Sequence, residues 1–196
     1  MKIILLLFFA AIVTATAHAQ VKLGVKAGIN ISNLTLSEVP SGFSLSSKTD
    51  FNAGLFALVP LFTSCYLQPE LMYSGQGAAT SVLGSSGKLD YNYLNVPILF
   101  KYQHESGLFA ESGPQIGFLL AANEKANGQT LNAKDATQSV DFSWAFGIGY
   151  KFSEIGLGID ARYNLGLTNL SKNNSSSNGS EKNSVFQFGL FYIFIN

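Results

Sequence analysis

The sequence predicts an all-β fold, an eight-stranded antiparallel up-and-down transmembrane β-barrel. Three observations carry the prediction. Bulky apolar residues alternate with small or polar ones at period two, the strand period, rather than at the helical period. The bulky face is too extensive to stand in water, while the opposite face is built from Gly, Ser, Asp, Asn and Lys, so lipid suits the outside and the polar face turns inward. A soluble lipocalin-like barrel would show the reverse, with its bulky face inside. Finally, no apolar run beyond the first 19 residues approaches the length of a spanning helix; Leu55 to Phe62 is much too short. A chain that crosses a bilayer without helices must close its strands on themselves, because lipid gives the backbone no hydrogen-bond partner.

Taken in order, the first strand is Val21 to Ser32, with Lys22, Gly24, Lys26, Gly28, Asn30 and Ser32 on its small or polar side. Phe51 to Leu61, Cys65 to Ser74, Leu89 to Tyr102 and Leu108 to Leu120 follow. The sixth, Val140 to Phe152, is the clearest: Phe142, Trp144, Phe146, Ile148 and Tyr150 share one face, and Asp141, Ser143, Ala145, Gly147, Gly149 and Lys151 the other. Ile155 to Leu167 repeats the pattern, with Gly156, Gly158, Asp160, Arg162, Asn164 and Gly166 inward. The eighth is Val185 to Phe194. Aromatics gather near the strand ends: Tyr102, Tyr150, Phe152, Tyr192 and Phe194 toward one rim, and Tyr73, Phe142, Trp144 and Phe186 toward the other, as in interfacial girdles.

The connections alternate. Long segments are expected at Asn33 to Asp50, Gly75 to Lys88, Ala121 to Gln138 and Thr168 to Asn183, and short ones at Phe62 to Ser64, Gln103 to Ser106 and Ser153-Glu154. An even barrel with both termini in the periplasm has this pattern, with long loops outside and short turns inside. The Ser/Asn-rich tract Ser171 to Ser180 falls in the last long loop and is expected to be mobile.

Met1-Lys2, the apolar run Ile3 to Val13 and the motif Ala17-His18-Ala19 read as a secretory signal peptide, residues 1–19, cleaved after Ala19 to leave a single domain over residues 20–196. Cys65 is the only cysteine and does not follow the signal, so neither a lipoprotein nor an internal disulfide is expected. Charged residues make up 12% of the chain, against about a quarter in ordinary soluble domains. Loss of Lys2 leaves 11 basic residues against 12 acidic ones, and no basic stripe marks a nucleic-acid partner.

The C-terminal spacing Gln187-x-Gly189-x-x-Tyr192-x-Phe194 puts Phe186, Phe188, Leu190, Tyr192 and Phe194 on one strand face, and Gln187 and Gly189 on the other among Val185, Phe191 and Ile193. It resembles the C-terminal assembly signal of bacterial outer-membrane barrels. Together with Gln68-Pro69-Glu70-Leu71, Tyr93 to Tyr102, Gly113-Pro114-Gln115-Ile116-Gly117, Ala161-Arg162-Tyr163 and Gly166-Leu167, it makes the chain resemble the small outer-membrane β-barrel family of Bacteroidota, porin-like or PorT-like, over Val21 to Asn196. The resemblance implies the bacterial outer membrane as location, with its lipid and the barrel assembly machinery as partners. One member of that family is associated with a protein-secretion and gliding apparatus, so an accessory role in secretion is a weaker implication.

Few residues offer chemistry. His104 is the sole histidine after signal removal and falls in a short turn, which disfavours a Ser-His-Asp triad or a histidine metal site; no catalytic, cofactor or metal residues are expected. Gly147-x-Gly149 and Gly156-x-Gly158 lie inside strands and open no helix, so they read as thin walls that leave room in a narrow lumen rather than as phosphate loops. Asn33-Leu34-Thr35 and Asn178-Gly179-Ser180 match glycosylation sequons and read as plain polar loops. By strand parity Lys22, Lys26, Glu70, Lys101, Glu111, Asp141, Lys151, Asp160 and Arg162 point inward. An isolated charge there is expensive, so a network centred on Glu70, Lys101, Glu111, Asp160 and Arg162 is expected, with Arg162 as bidentate partner of a carboxylate. In an eight-stranded barrel such a network is a structural plug, with an ion path or a Glu70–Glu111 acid pair as the functional alternatives. The function expected is non-enzymatic, structural or surface-interacting through long outer loops. A narrow passive channel for small solutes is the alternative.

Overall fold

The computed structural model describes residues 21–36, 43–82, 85–126, 129–152, 154–170 and 181–194, and the strands they form are all antiparallel to their neighbours. In chain order these are β1 (Lys22–Leu36), β2 (Phe43–Phe62), β3 (Cys65–Val82), β4 (Ser85–Gln103), β5 (Leu108–Ala126), β6 (Gln129–Asn132), β7 (Val140–Lys151), β8 (Leu157–Gly166) and β9 (Glu181–Ile193). Neighbours run β4-β3-β2-β1-β9-β8-β7-β5, and the additional β4–β5 pairing closes the ring. Eight strands form the barrel. The four-residue β6 folds back as a hairpin on the far end of β5, from Asn123↔Asn132 to Ala126↔Gln129. Residues 1–20, with the expected signal peptide and its Ala17 and Ala19, lie outside the described residues, as do residues 171–180 with the Ser/Asn tract.

Exposure separates the two faces as the strand period requires. Ile148 and Leu190 are 67% and 65% exposed, whereas Lys101 and Arg162 are 2% exposed. An apolar outside and charged inside suit lipid as the surrounding solvent. At the end carrying the short turns, Tyr150 meets Phe152 and Tyr192 meets Phe194 edge-on at 5.2 and 5.6 Å. Toward the other end, Phe51 stacks on Tyr73 at 5.1 Å and Tyr163 lies 4.6 Å from Phe186. Gly107 and Gly156 take left-handed φ values of 96° and 69° in two of the short turns, a conformation other residues adopt at a cost.

The structure corrects the expected connections. Gly75 to Lys88 is no long loop: β3 and β4 stay paired from Gly75↔Asn92 to Val82↔Ser85, with residues 83–84 outside the described residues. β2 likewise begins at Phe43, inside the expected segment Asn33 to Asp50, with a register shift between Ser47 and Asn52. β5 reaches Ala126 and β6 occupies part of the third expected loop. About 9–11 residues suffice for a tilted strand to span a bilayer, so the 20 residues of β2 carry the wall well beyond it. A backbone ladder needs no lipid to persist. Polar residues on both faces of Ser74 to Ser81 hide this continuation from any period-two reading.

The lumen is also more layered than a uniformly polar interior. At the turn end Phe56, Leu58, Phe109, Phe191 and Ile193 form an apolar cluster, joined by Tyr66. At the hairpin end Leu34, Ala78, Tyr91, Tyr93, Leu119, Ala122 and Leu170 form another. Polar and charged side chains fill the space between.

Candidate functional site

The central layer is assembled from five strands whose inward positions reach one level. β3 supplies Gln68 and Glu70, β4 Lys101, β5 Glu111, β8 Asp160 and Arg162, and β1 Lys26; all are buried. Arg162 is the hub. Its Nη1 and Nη2 each donate to one oxygen of Glu70 at 2.7 Å, a bidentate fork, while Nε and Nη2 donate to Glu111 Oε1 at 3.0 and 2.5 Å. Gln68 Nε2 donates to Glu70 at 2.6 Å. Glu70 and Glu111 are therefore both bound to one guanidinium, an arrangement that leaves neither free as acid or base.

Lys101 lies at the edge of this group. Its ammonium is 3.9 Å from Glu111, donates to Gln68 Oε1 at 3.1 Å, and sits 3.5 Å from the centre of the Phe109 ring and 5.1 Å from that of Phe191. Aromatic faces attract a desolvated cation, so the apolar cluster at the turn end and the charged layer support each other. Asp160 joins the network through a partner outside the expected set: it pairs with Lys26 of β1. These strands are not neighbours. β9 runs between them, and its Gly189 leaves the space, because a Cβ there would come within 2.7 Å of Asp160 Oδ1 and 3.1 Å of Lys26 Cε.

Other strand glycines act similarly, as thin walls that make room in the lumen for side chains of neighbouring strands. A Cβ at Gly147 would meet Glu111 Cγ at 2.8 Å, and Cβ atoms at Gly24, Gly149 and Gly158 would collide with the rings of Phe56, Phe109 and Phe191. The space is taken by side chains from neighbouring strands. Beyond the charges lies an amide and hydroxyl layer: Asn52 and Gln187 donate to Asn30 Oδ1 at 2.6 and 2.9 Å, Asn30 and Gln76 donate to Ser74 Oγ at 2.9 Å each, and Asn183 donates to Gln76. Gln187 and Gly189 thus face the lumen, while Tyr192 and Phe194 face outward. Lys22 is exposed at the turn-end rim and Lys151 half-buried there, so neither belongs to the central layer. His104 closes the β4–β5 turn, its Nδ1 accepting from the Ser106 amide at 3.1 Å.

At the hairpin end, beyond Phe51 and Tyr73, a second charge group links three strands: Lys48 pairs with Asp50 and Asp90 at 2.7 and 2.6 Å, and Lys125 with Asp90 at 2.7 Å. Burial alone would raise the Asp90 carboxyl, but hydrogen bonds and charge from Lys125 and Lys48 outweigh it and hold the group below its ordinary value. Among the described residues no cluster of three or more His, Cys, Asp or Glu side chains is placed to hold a metal ion.

A family model described as outer membrane protein beta-barrel domain matches residues 15–172. Among solved structures, the chain is similar to Neisserial surface protein A (NspA), at 12% identity over 88% of this chain and 97% of that one, with a TM-score of 0.56. It also matches the attachment invasion locus protein Ail of Yersinia pestis, solved with the heparin analogue sucrose octasulfate, at 17% identity over 89% and 99% of the two chains, TM-score 0.49. OprG of Pseudomonas aeruginosa matches at 12% identity over 89% and 96%, TM-score 0.48. No curated protein matches the chain. At these identities the structural likeness speaks to the fold alone.

Proposed function

The chain belongs to the outer membrane protein beta-barrel domain family, and from that premise we propose that it is a non-enzymatic outer-membrane barrel with a closed lumen, acting at the cell surface through its projecting hairpins and loops. The observation that carries this reading is the filled lumen. Between apolar clusters at its two ends, Arg162, Glu70, Glu111, Lys101, Lys26 and Asp160 are buried and satisfied mainly by one another. An eight-stranded barrel has an interior just wide enough for side chains to fill. Refolded protein in planar lipid bilayers should accordingly show no steady conductance. Stable single-channel currents would instead promote the narrow passive channel, which draws its support from the amide and hydroxyl layer.

In the proposed orientation both termini and the short turns face the periplasm, and the far ends of β1–β2, β3–β4 and β5–β6 project outward with the Lys48, Asp50, Asp90 and Lys125 charges. Lipid and the barrel assembly machinery are the partners this implies, and a signal peptide over residues 1–19 is the proposed export route. An accessory role in protein secretion is the weaker alternative. Protease added to intact cells should cut first within Thr168 to Asn183, the segment that holds the connection between β8 and β9. Protection there, with cleavage confined to Gln103 to Ser106, would invert the orientation.

A further inference from the structure

Three prolines stand in the interiors of neighbouring strands: Pro69 in β3, Pro97 in β4 and Pro114 in β5. Proline has no amide hydrogen to give to the next strand, so sheets ordinarily confine it to edges and bulges. Here the ladder skips at each of them, without a change of register. β2 and β3 pair at Phe56↔Glu70 and next at Val59↔Leu67, and β3 and β4 at Pro69↔Ile98 and next at Met72↔Asn95. β4 and β5 pair at Pro97↔Gln115 and next at Phe100↔Ser112. Carried across these skips, the register sets Ala57, Pro69, Ile98 and Pro114 in one row over four adjacent strands. The other seams of the ring, β5–β7, β7–β8, β8–β9, β9–β1 and β1–β2, are paired without a skip.

Missing ladder bonds are costly where lipid replaces water, so the continuity of this wall needs another source. The charged layer lies directly behind it. Glu70 follows Pro69 on β3 and stands opposite Pro97 in the same register, and Glu111 lies three residues before Pro114 on β5, so the two carboxylates flank β4. Arg162 binds both from β8, a strand of the unbroken half: it forks onto Glu70 at 2.7 Å and holds Glu111 at 2.5 and 3.0 Å. It reaches Glu111 over Gly147 of β7, which is in register with both residues and has no side chain to block the way. A guanidinium keeps its charge at any ordinary pH, and its planar fork fixes direction as well as distance. These bonds therefore tie the continuous half of the ring, across the lumen, to the strands on either side of β4.

We propose that the wall from β2 to β5 is hinged along the proline row, and that Arg162, through Glu70 and Glu111, is the latch that holds it shut. Released, the wall parts locally at the row and opens the charged layer sideways to the bilayer, while the rest of the ring stays closed. This goes beyond the closed-lumen reading: a non-conducting barrel with an evenly rigid wall would satisfy that reading and not this one.

Amide hydrogen exchange of the full barrel in lipid nanodiscs, read peptide by peptide, tests the hinge and the latch separately. In wild type, Glu70–Leu71 and Ile98–Leu99 should exchange several-fold faster than Ala27–Gly28 in β1 and Phe188–Gly189 in β9. Pro114→Val, at an outward position, returns the missing donor and should slow Ile98–Leu99 several-fold. Glu70→Gln with Arg162→Met removes the latch while Glu111 keeps Lys101 and Asp160 keeps Lys26. It should speed exchange along the row about tenfold over wild type and leave β1 and β9 within about twofold. Equal wild-type rates in the row and in β1 and β9 would overturn the hinge, and so would a Pro114→Val barrel that exchanges like wild type. These two measurements stand even if the double variant fails to fold. A double variant that exchanges faster by one common factor around the whole ring, or no faster along the row, would overturn the latch.

Discussion

Arg162→Ala is expected to cost the folded barrel about 3–5 kcal/mol, the range found when one partner of a buried ion pair is removed. The reason lies in what remains. Without the guanidinium, Glu70 keeps Gln68, and Glu111 keeps Lys101 at 3.9 Å and Gln68 at 3.3 Å, so two carboxylates that shared a cation now repel across the vacated space. Water drawn into that space would reduce the loss and open the centre of the lumen, so the variant should also begin to conduct intermittently. Arg162→Lys restores charge but not the fork, and should recover part of the loss. Removing Glu70 and Arg162 together, as Glu70→Gln and Arg162→Met, should cost much less than the single change, because Glu111 keeps Lys101, Asp160 keeps Lys26 and no ion is left unpaired. Denaturant unfolding in lipid vesicles, followed through the lipid-facing Trp144, measures each variant. An Arg162→Ala barrel as stable as wild type, with altered ion selectivity in a wild type that already conducts, would replace the plug with a channel.

That network was legible in the sequence only up to the choice of partners. Alternation along Val140 to Phe152 and along Ile155 to Leu167 shows which side of each strand a charge occupies, because side-chain direction is a property of the strand itself. It does not show the stagger between strands. Asp160 meets Lys26 because Gly189 of the intervening strand lines up with Asp160 on one side and Gly28 on the other. Phe109 rests on Gly149, Phe191 on Gly158 and Phe56 on Gly24 for the same kind of reason. These contacts belong to the register of the closed sheet, and a one-dimensional pattern holds no record of it. The hairpin extensions escaped for another reason: outside lipid both faces of a strand meet water or polar neighbours, so the two-residue signal disappears while the backbone ladder continues from Gly75 to Val82.

The double variant Tyr192→Ala with Phe194→Ala should separate assembly from packing. Both side chains point outward, 37% and 47% exposed, and touch each other edge-on rather than the lumen. The backbone here is tied independently, with the Ile193 amide donating to Gly156 and the Phe194 amide to Leu23, each at 2.8 Å. Inward neighbours Phe191 and Ile193 keep their cluster. Truncation therefore removes lipid contact, about 2 kcal/mol per ring by area, without creating a cavity inside. In cells the folded, heat-modifiable barrel should fall several-fold and protease-sensitive chain should accumulate in the periplasm, if these aromatics serve recognition by the assembly machinery as proposed. Phe191→Ala is the contrasting case: it empties part of the lumenal cluster, lowering stability by about 3–5 kcal/mol while leaving the outward aromatics in place. Its loss should therefore appear in denaturant unfolding of the inserted barrel. Wild-type amounts of folded barrel from the double variant, together with an insertion defect in Phe191→Ala, would assign the recognition to the lumenal face instead.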